Sequence, residues 1–505
     1  MSSESLMPPG ARNQTEVFAV HGADPEVLAY AMAKYSRSAL SMRESLAEIS
    51  RQRAEQFLNT FYFQYGHRSI ADLAHVAMAI ERLSLLAAIV LVDEQRWDGQ
   101  ERSTRYQNFL KSGWYFPDFG EDSGAAQLYS DTITSLFSAY QRTTAAVLEA
   151  LRRRVPCPEA MKPEAYERTL KARAFDVARY LLPLATNTSL GQITNARTLE
   201  TQVSRLLSHP AAEVRDLGTK LREAAIGPAW NVNAQAGEVR SAPTLVKYAQ
   251  PNDYEIQTRA ELALAATEIL NGLPYAVAPV VDLVELTESL EVELAATLLY
   301  SASHHPYRQI RDLVAGLPAS RIAEIVELGL RHRGKHDEAL RAFHAGASLR
   351  FDILMDIGGF RDMHRHRRCT QIIQPFTALH GYETPTSGDL GPDVNILAEA
   401  GVLAEFQSAV ALAHAASARV AASAAPEAAQ SALYLLPLAT RIRSLFKMDF
   451  AEAQYIIELR SGPAGHFSYR RVAWEMFLAL KRQHPALAQQ IRVTDFTQPI
   501  NLLQR

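Results

Sequence analysis

Two arginine-bearing segments hold the residues best suited to chemistry. In Ser103-Thr104-Arg105-Tyr106 a hydroxyl and a guanidinium stand two residues apart, so an extended backbone points both to one side. In Arg365-His366-Arg367 two guanidiniums flank an imidazole. A guanidinium presents a planar fork of donors that grips a phosphate or carboxylate with two bonds at once, and a hydroxyl completes such a cradle. Arg179, ahead of a Leu-Pro break, and Arg215 enlarge the set of cations. Together they describe a pocket for an anionic small molecule. The two cysteines add no nucleophile: Cys157 sits in Pro-Cys-Pro, and the cationic neighbours of Cys369 do not by themselves make an activated thiolate.

The rest of the composition narrows the setting. A chain of 505 residues is long enough for two to four domains. Its 48% hydrophobic and 21% charged residues are ordinary for a globular protein. A net charge of −3 gives no basic field, which argues against a nucleic-acid partner. Two cysteines are too few for a disulfide framework or a thiolate metal site and suit a reducing compartment. Residues 1–14 lack the basic-then-apolar pattern of a signal peptide, and no apolar run approaches a bilayer span. The expectation is a cytoplasmic protein with no membrane and no nucleic-acid partner.

The elements that must position the arginines are mostly helical. Helical spacing runs from Pro25, through Ala71 to Val92, Ile133 to Leu151, Val203 to Leu221 and Leu262 to Leu273, with Asp24 as an N-cap. Strand candidates are fewer: Val239 to Tyr248, Tyr275 to Val284 and Gly346 to Ile357. The heptapeptide Tyr180-Leu-Leu-Pro-Leu-Ala-Thr186 recurs as Tyr434-Leu-Leu-Pro-Leu-Ala-Thr440, 434 − 180 = 254 residues later. A spacing of half the chain is too long for a solenoid repeat and signals duplication of a whole domain. The polar, Gly- and Pro-containing stretch 231–253 marks the junction. The expected fold is α+β, helix-dominated with limited sheet, in two tandem domains, 15–240 and 250–505.

The motifs around the repeat resemble flavin-dependent thymidylate synthase. The first half shows Tyr65-Gly66-His67-Arg68-Ser69 with Asp72, then Ser103-Thr104-Arg105-Tyr106, Ala178-Arg179, Asn195-Ala196-Arg197 and Glu213-Val214-Arg215. The family carries Tyr-Gly-His-x-Ser/Thr-x-x-Glu, Arg-His-Arg closing on Ser-x-Arg-Tyr, Ala-Arg-x-x-Leu-Pro, Asn-x-Arg and a Glu-Ile-Arg-like helix in that order. The second half has His336-Asp337-Glu338, the triplet Arg365-His366-Arg367, the repeat, Glu458-Leu459-Arg460 and His466-Phe-Ser-Tyr-Arg470. Each half has lost a different part. Pro375 and Thr377 stand near the place of Ser103 and Arg105, and Leu433 precedes the second heptapeptide where Arg179 precedes the first. The first-half counterpart of the triplet is Arg96-Trp97-Asp98 in one register and Asp93-Glu94-Gln95 in another; both bring in acid. A second Arg-His-Arg, at 331–333, is in the wrong register and reads as surface.

The resemblance implies roles. Ser103, Arg105, Arg179 and Arg215 would hold a deoxyuridylate-like nucleotide; His67, Ser69, Asp72, Asn195 and Arg197 would contact FAD; Arg365, His366 and Arg367 would contact the flavin and place the pyrimidine, with Arg105 counted among the catalytic groups. The implied reaction methylates dUMP with methylene-tetrahydrofolate and NADPH as co-substrates and no metal. Family sites lie at subunit junctions of a homotetramer, so a homodimer of fused chains with composite sites is expected. The alternatives are a flavin enzyme acting on another pyrimidine nucleotide, and a non-catalytic nucleotide-binding or assembly protein.

Overall fold

The computed structural model of the chain describes residues 22–34, 68–230, 238–247, 249–285, 289–334, 340–343, 349–385, 395–489, 491–499 and 501–503. Two compact units are present: Met1–Val76 with Asn195–Arg197 and Ala224–Lys247, and Ala77–Thr194 with Thr198–Glu223 and Tyr248–Arg505. The described elements are mostly helical. In the first unit the helix Pro25–Lys34 is tied down by Glu26, whose carboxylate accepts from the backbone N–H of Thr244 and Leu245 at 2.9 and 2.7 Å.

The second unit is built on two small sheets. One has the order β1 (His75–Ser84), β3 (Asn187–Asn195), β2 (Asp98–Glu101); the other β4 (Val281–Leu283), β5 (Leu349–Asp356), β7 (Arg441–Met448), β6 (Thr370–Ile373). Asp98 pairs with Ile193 in β2–β3, and Thr370 with Lys447 in β6–β7. The two pairs match at offsets of 370 − 98 = 272 and 447 − 193 = 254 residues.

The two heptapeptides lie against each other, antiparallel, with Pro183 opposite Pro437. Leu184 N–H donates to the Leu436 carbonyl at 2.9 Å, and Leu438 N–H donates to that of Leu182 at 2.9 Å. Ala185 bonds Tyr434 and Ala439 bonds Tyr180 in the same reciprocal way, at 2.9 and 3.0 Å. Each bond maps onto its partner by exchanging n for n + 254, which is the signature of a local twofold axis between the repeats. Proline cannot donate to a ladder, so each Pro sits where the pairing passes through carbonyls instead.

The correspondence reaches outward. Ser84 caps the helix Leu85–Leu91 by accepting from Ala87 N–H, and Asp356 caps Ile357–Met363 by accepting from Gly359 N–H. Ser84 Oγ donates to Glu213, at 2.6 Å; at the symmetry-related place Ser468 Oγ donates to Asp356. The hydroxyl and the carboxylate have changed sides while the buried bond between them is kept.

Several expected elements differ. Ala71–Val92 is not one helix: β1 is followed by the helix Leu85–Leu91. Val76 and Ile80 suit a helix face and, with Met78, a strand face equally; pairing with β3 decides for strand. Val203–Leu221 splits at His209-Pro210 into Ala196–Leu207 and Ala212–Ile226, since proline cannot continue the first helix. No strand forms among the described residues of 239–248, and Tyr275–Val284 contributes only β4.

Candidate functional site

Arg105 follows β2 in a turn rather than in an extended segment; the Ser103 hydroxyl accepts from the Arg105 backbone N–H at 3.2 Å. The Arg105 side chain is buried and heavily engaged. Its Nε donates to Asp176 at 2.8 Å, Nη1 to the Tyr469 hydroxyl at 2.8 Å, and Nη2 to Asp176 and the Ala464 carbonyl at 3.3 Å each. Asp176 lies on the helix Pro163–Ala178 of the first half, while Ala464 and Tyr469 belong to the second.

Arg179 ends that helix and is 2% exposed. Both its terminal nitrogens face Asp362 at 3.4 Å, Nη1 also faces the Thr104 hydroxyl at 3.4 Å, and Nε has no hydrogen-bond partner among the described residues. Asp362 lies three residues before Arg365, on the helix Ile357–Met363. Burial raises its pKa, but the charges of Arg179, Arg105 and Arg365 hold it below the usual carboxylate range. Arg179 of one half thus meets Asp362 of the other, and the charges of Arg105 and Arg365 also act on that carboxylate. His466 Nε2 bonds the Asp176 carbonyl at 2.9 Å and its Nδ1 accepts from Ser468 N–H at 3.2 Å; burial first, then Arg179, keeps it neutral.

The triplet divides. Arg365 is exposed. His366 turns inward, its Nε2 accepting from Arg460 Nε at 2.7 Å with Glu452 3.7 Å from Nδ1. Arg367 lies over the Trp97 ring at 4.4 Å and donates from Nε to the Glu94 carbonyl at 3.1 Å; its Nη2 is buried with no partner among the described residues. Just upstream, Arg361 forms an ion pair with Glu101 across the halves.

The offset of 272 residues sets the register of the lost triplet as Asp93-Glu94-Gln95, not Arg96-Trp97-Asp98, because β2 and β6 align only in that way. The acids there are not left unpaired: Asp93 binds Arg341 and Glu94 binds Arg205 at 2.7 Å. Pro375 and Thr377 fall on Ser103 and Arg105 at the same offset, so the second arm lacks its donor and its cation. Arg215 does not join the Asp362 cluster. It pairs with Glu427 and donates to the carbonyls of His209 and Pro210. Its symmetry counterpart, 470 − 215 = 255 residues on, is the buried Arg470.

In the other unit Asp72 pairs with Arg197 at 3.3 Å, and Asn195 ends β3. Ser69 lies in the 3-10 turn Arg68–Leu73. His67 and His336-Asp337-Glu338 lie outside the described residues. At the surface, Arg331 and His332 of the off-register triplet bind Glu261. Burial pushes the Cys369 thiol up to about 12, as expected of an inert cysteine. Among the described residues no metal-binding cluster is present and no helix is long and apolar enough to cross a membrane.

Sequence reasoning passed over Asp176 and Asp362, and gave no role to Arg460 and Tyr469, which sit inside the motif segments 458–460 and 466–470. The acids and the Tyr469 hydroxyl became informative only once the opposite half faced them.

The chain matches the thymidylate synthase complementing protein family over residues 18–227 and again over 282–486. It is 28% identical to a UPF0159 protein of Chlamydia muridarum, covering 94% of this chain and 91% of that one. A UPF0159 protein of Chlamydia pneumoniae is 27% identical (96% and 92% covered), and one of Thermoplasma acidophilum 25% (92% and 94%). Among solved structures, flavin dependent thymidylate synthase ThyX from Helicobacter pylori, complexed with FAD and dUMP, is similar over 40% of this chain and 89% of that one, at 18% identity and a TM-score of 0.24. Matched over more than half its length in two successive segments, the chain belongs to the thymidylate synthase complementing protein family, with two family units in one polypeptide.

Proposed function

We propose that the protein is an FAD-dependent methyltransferase of the thymidylate synthase type, with one composite pyrimidine-nucleotide site per chain. The observation that carries this is that Arg179 of one half faces Asp362 of the other at 3.4 Å and Arg105 donates to Tyr469 of the other at 2.8 Å, while the positions related to Arg105, Arg179 and Arg365 hold Thr377, Leu433 and Asp93. In this reading Ser103, Arg105 and Arg179 hold dUMP, Arg470 stands where Arg215 was expected, and Arg365 and Arg367 meet the flavin. Their donors fit an anionic, carbonyl-rich cofactor: Arg365 is exposed and Arg367 Nη2 lacks a partner among the described residues. His366, held through Arg460, fixes the backbone from which both arginines project.

His67, Ser69, Asp72, Asn195 and Arg197 remain the proposed FAD contacts in the other unit. Bound FAD would supply hydride and pass a one-carbon unit toward C5 of the uracil, with NADPH and methylene-tetrahydrofolate as co-substrates. The proposed family units are 15–240 and 250–505, and two fused chains would assemble as a homodimer; light scattering that gives a monomer would count against this. The direct test combines an absorption spectrum of the purified protein with tritium release from 5-labelled dUMP. A yellow protein that releases tritium supports the reading, and a colourless, inert one removes it.

A second reading is favoured by the loss of different motif parts from the two halves, which suits divergence: the substrate is a different pyrimidine nucleotide. A yellow protein that binds a pyrimidine nucleotide without releasing tritium from dUMP selects it.

A further inference from the structure

Residues 491–499 and 501–503 follow the helix Phe467–Gln483 and touch both halves of the chain beside the proposed composite site. On the second-half side Arg492 donates to Glu458 from its N–H at 3.0 Å and from Nη2 at 3.1 Å, and Thr494 N–H donates to Ser461 Oγ at 3.1 Å. Between Glu458 and Ser461 stands Arg460, the partner of His366. The Phe496 ring then lies 5.6 Å from the guanidinium of Arg470, the residue next to Tyr469, which binds Arg105. On the first-half side Arg173 Nε donates to the Leu502 carbonyl at 3.2 Å, and both residues are buried. Arg173 stands one helical turn before Asp176, the other partner of Arg105.

The first half shows which part of this path is shared between the copies. At the end of the helix Ala196–Leu207, Ser208 Oγ accepts from Asn252 N–H at 2.7 Å. Ser461 accepts from Thr494 in the same way at the end of the helix Phe450–Ser461. There the two paths part. Asn252 at once caps the helix Asp253–Ile269, whereas Thr494 leads to Phe496 and Leu502, and so back to the first half. The paired arginines differ accordingly: the Arg215 side chain is 39% exposed, while Arg470, with Phe496 against it, is 0% exposed.

The segment is held lightly. Its ion pair with Glu458 is a surface one, the Arg492 side chain being 90% exposed, and such pairs contribute little. The Thr494 bond and the Phe496–Arg470 contact are single interactions of ordinary strength. Ile491 and Leu502 are its buried apolar side chains. A stretch with so few buried contacts opens at low cost.

We propose that residues 491–499 and 501–503 form an autoinhibitory strap. Closed, as here, it caps Arg470 and clasps the two halves; it lifts before Arg470 joins in holding a nucleotide. The inference rests on the composite nucleotide site and adds its regulation. A site whose competent state is only partly populated binds more weakly by that fraction, so loosening the strap strengthens binding. Fluorescence titration and stopped-flow mixing of the full chain with dUMP test this, together with hydrogen exchange of the strap. Phe496→Ala and Leu502→Asp, at different anchors, are each expected to tighten dUMP binding about three- to tenfold through a faster on-rate. Phe496→Tyr keeps the ring and should stay within about twofold of the wild type. Urea midpoints near the wild-type value show that the variants fold, and dUMP should speed hydrogen exchange in the wild-type strap. If the wild type binds dUMP but neither Phe496→Ala nor Leu502→Asp binds it more tightly, or if dUMP slows exchange in the strap, the segment is a clasp and not an inhibitor. That result overturns the inference and leaves the composite site standing. No dUMP binding by the wild type or by either of these two variants would remove the composite site, and the strap's regulatory role with it.

Discussion

Arg105 of the first half donates to the hydroxyl of Tyr469 in the second at 2.8 Å, across 364 residues of sequence. That bond, with Asp176 on the other side of the guanidinium, ties the surviving nucleotide arm to the half that kept the triplet. Under the proposed composite site, each copy is free to lose what the other retains.

Nucleotide and flavin affinity should therefore separate by mutation. Arg105→Lys keeps a cation for Asp176 but loses the planar fork, a charge-assisted contact worth roughly 1.5–3 kcal/mol. Calorimetry should show dUMP binding weakened about tenfold or more with flavin content unchanged. Arg365→Ala should lower flavin retention first, and Thr377→Ala should alter neither ligand. Equal losses from Arg105→Lys and Thr377→Ala would end the division of labour.

Asp362 competes with any anionic ligand for Arg179, whose contacts to it are long at 3.4 Å. Asp362→Asn is expected to raise dUMP affinity by at least a few-fold, because a like charge beside the proposed phosphate is removed. Fluorescence titration reads this directly; weaker binding would instead make Asp362 a ligand contact.

Asp93 gives an acid-range signature. Burial raises its pKa, but Arg341, His364 and Arg205 hold it down to about 2. A depressed carboxyl contributes stability above its ordinary value, and that contribution is lost as the pH falls through the folded value. Urea denaturation of the wild type should weaken between about pH 4 and pH 2. Asp93→Asn should be less stable at pH 7 and show a shallower acid decline; curves that run parallel would contradict the assignment.

The exchanged hydroxyl–carboxylate pairs predict non-additivity. Ser84→Ala removes a buried N-cap and should cost about 1–2 kcal/mol. Combining Ser84→Asp with Glu213→Ser copies the Asp356–Ser468 arrangement and should recover most of the loss of either single change, as measured by urea midpoints. Strict additivity would show that the two sites are not equivalent.

The duplication, the helix-dominated class and the unequal inheritance of motifs are legible in the order of amino acids alone. A seven-residue identity at a spacing of 254 residues, and the order of Arg105, Arg179 and Arg365–Arg367 around it, are facts of composition and spacing. Strand β1 reads as helix because Val76 and Ile80 satisfy both periods, and hydrogen bonding to β3 made the choice. Folding, not spacing, chose Asp93 over Arg96 as the counterpart of Arg365, since register is a property of paired strands. It also set Arg215 against Glu427 and Arg179 against Asp362. Which charges face one another depends on how the halves fold together about the Pro183–Pro437 axis, and no single segment of sequence carries that information.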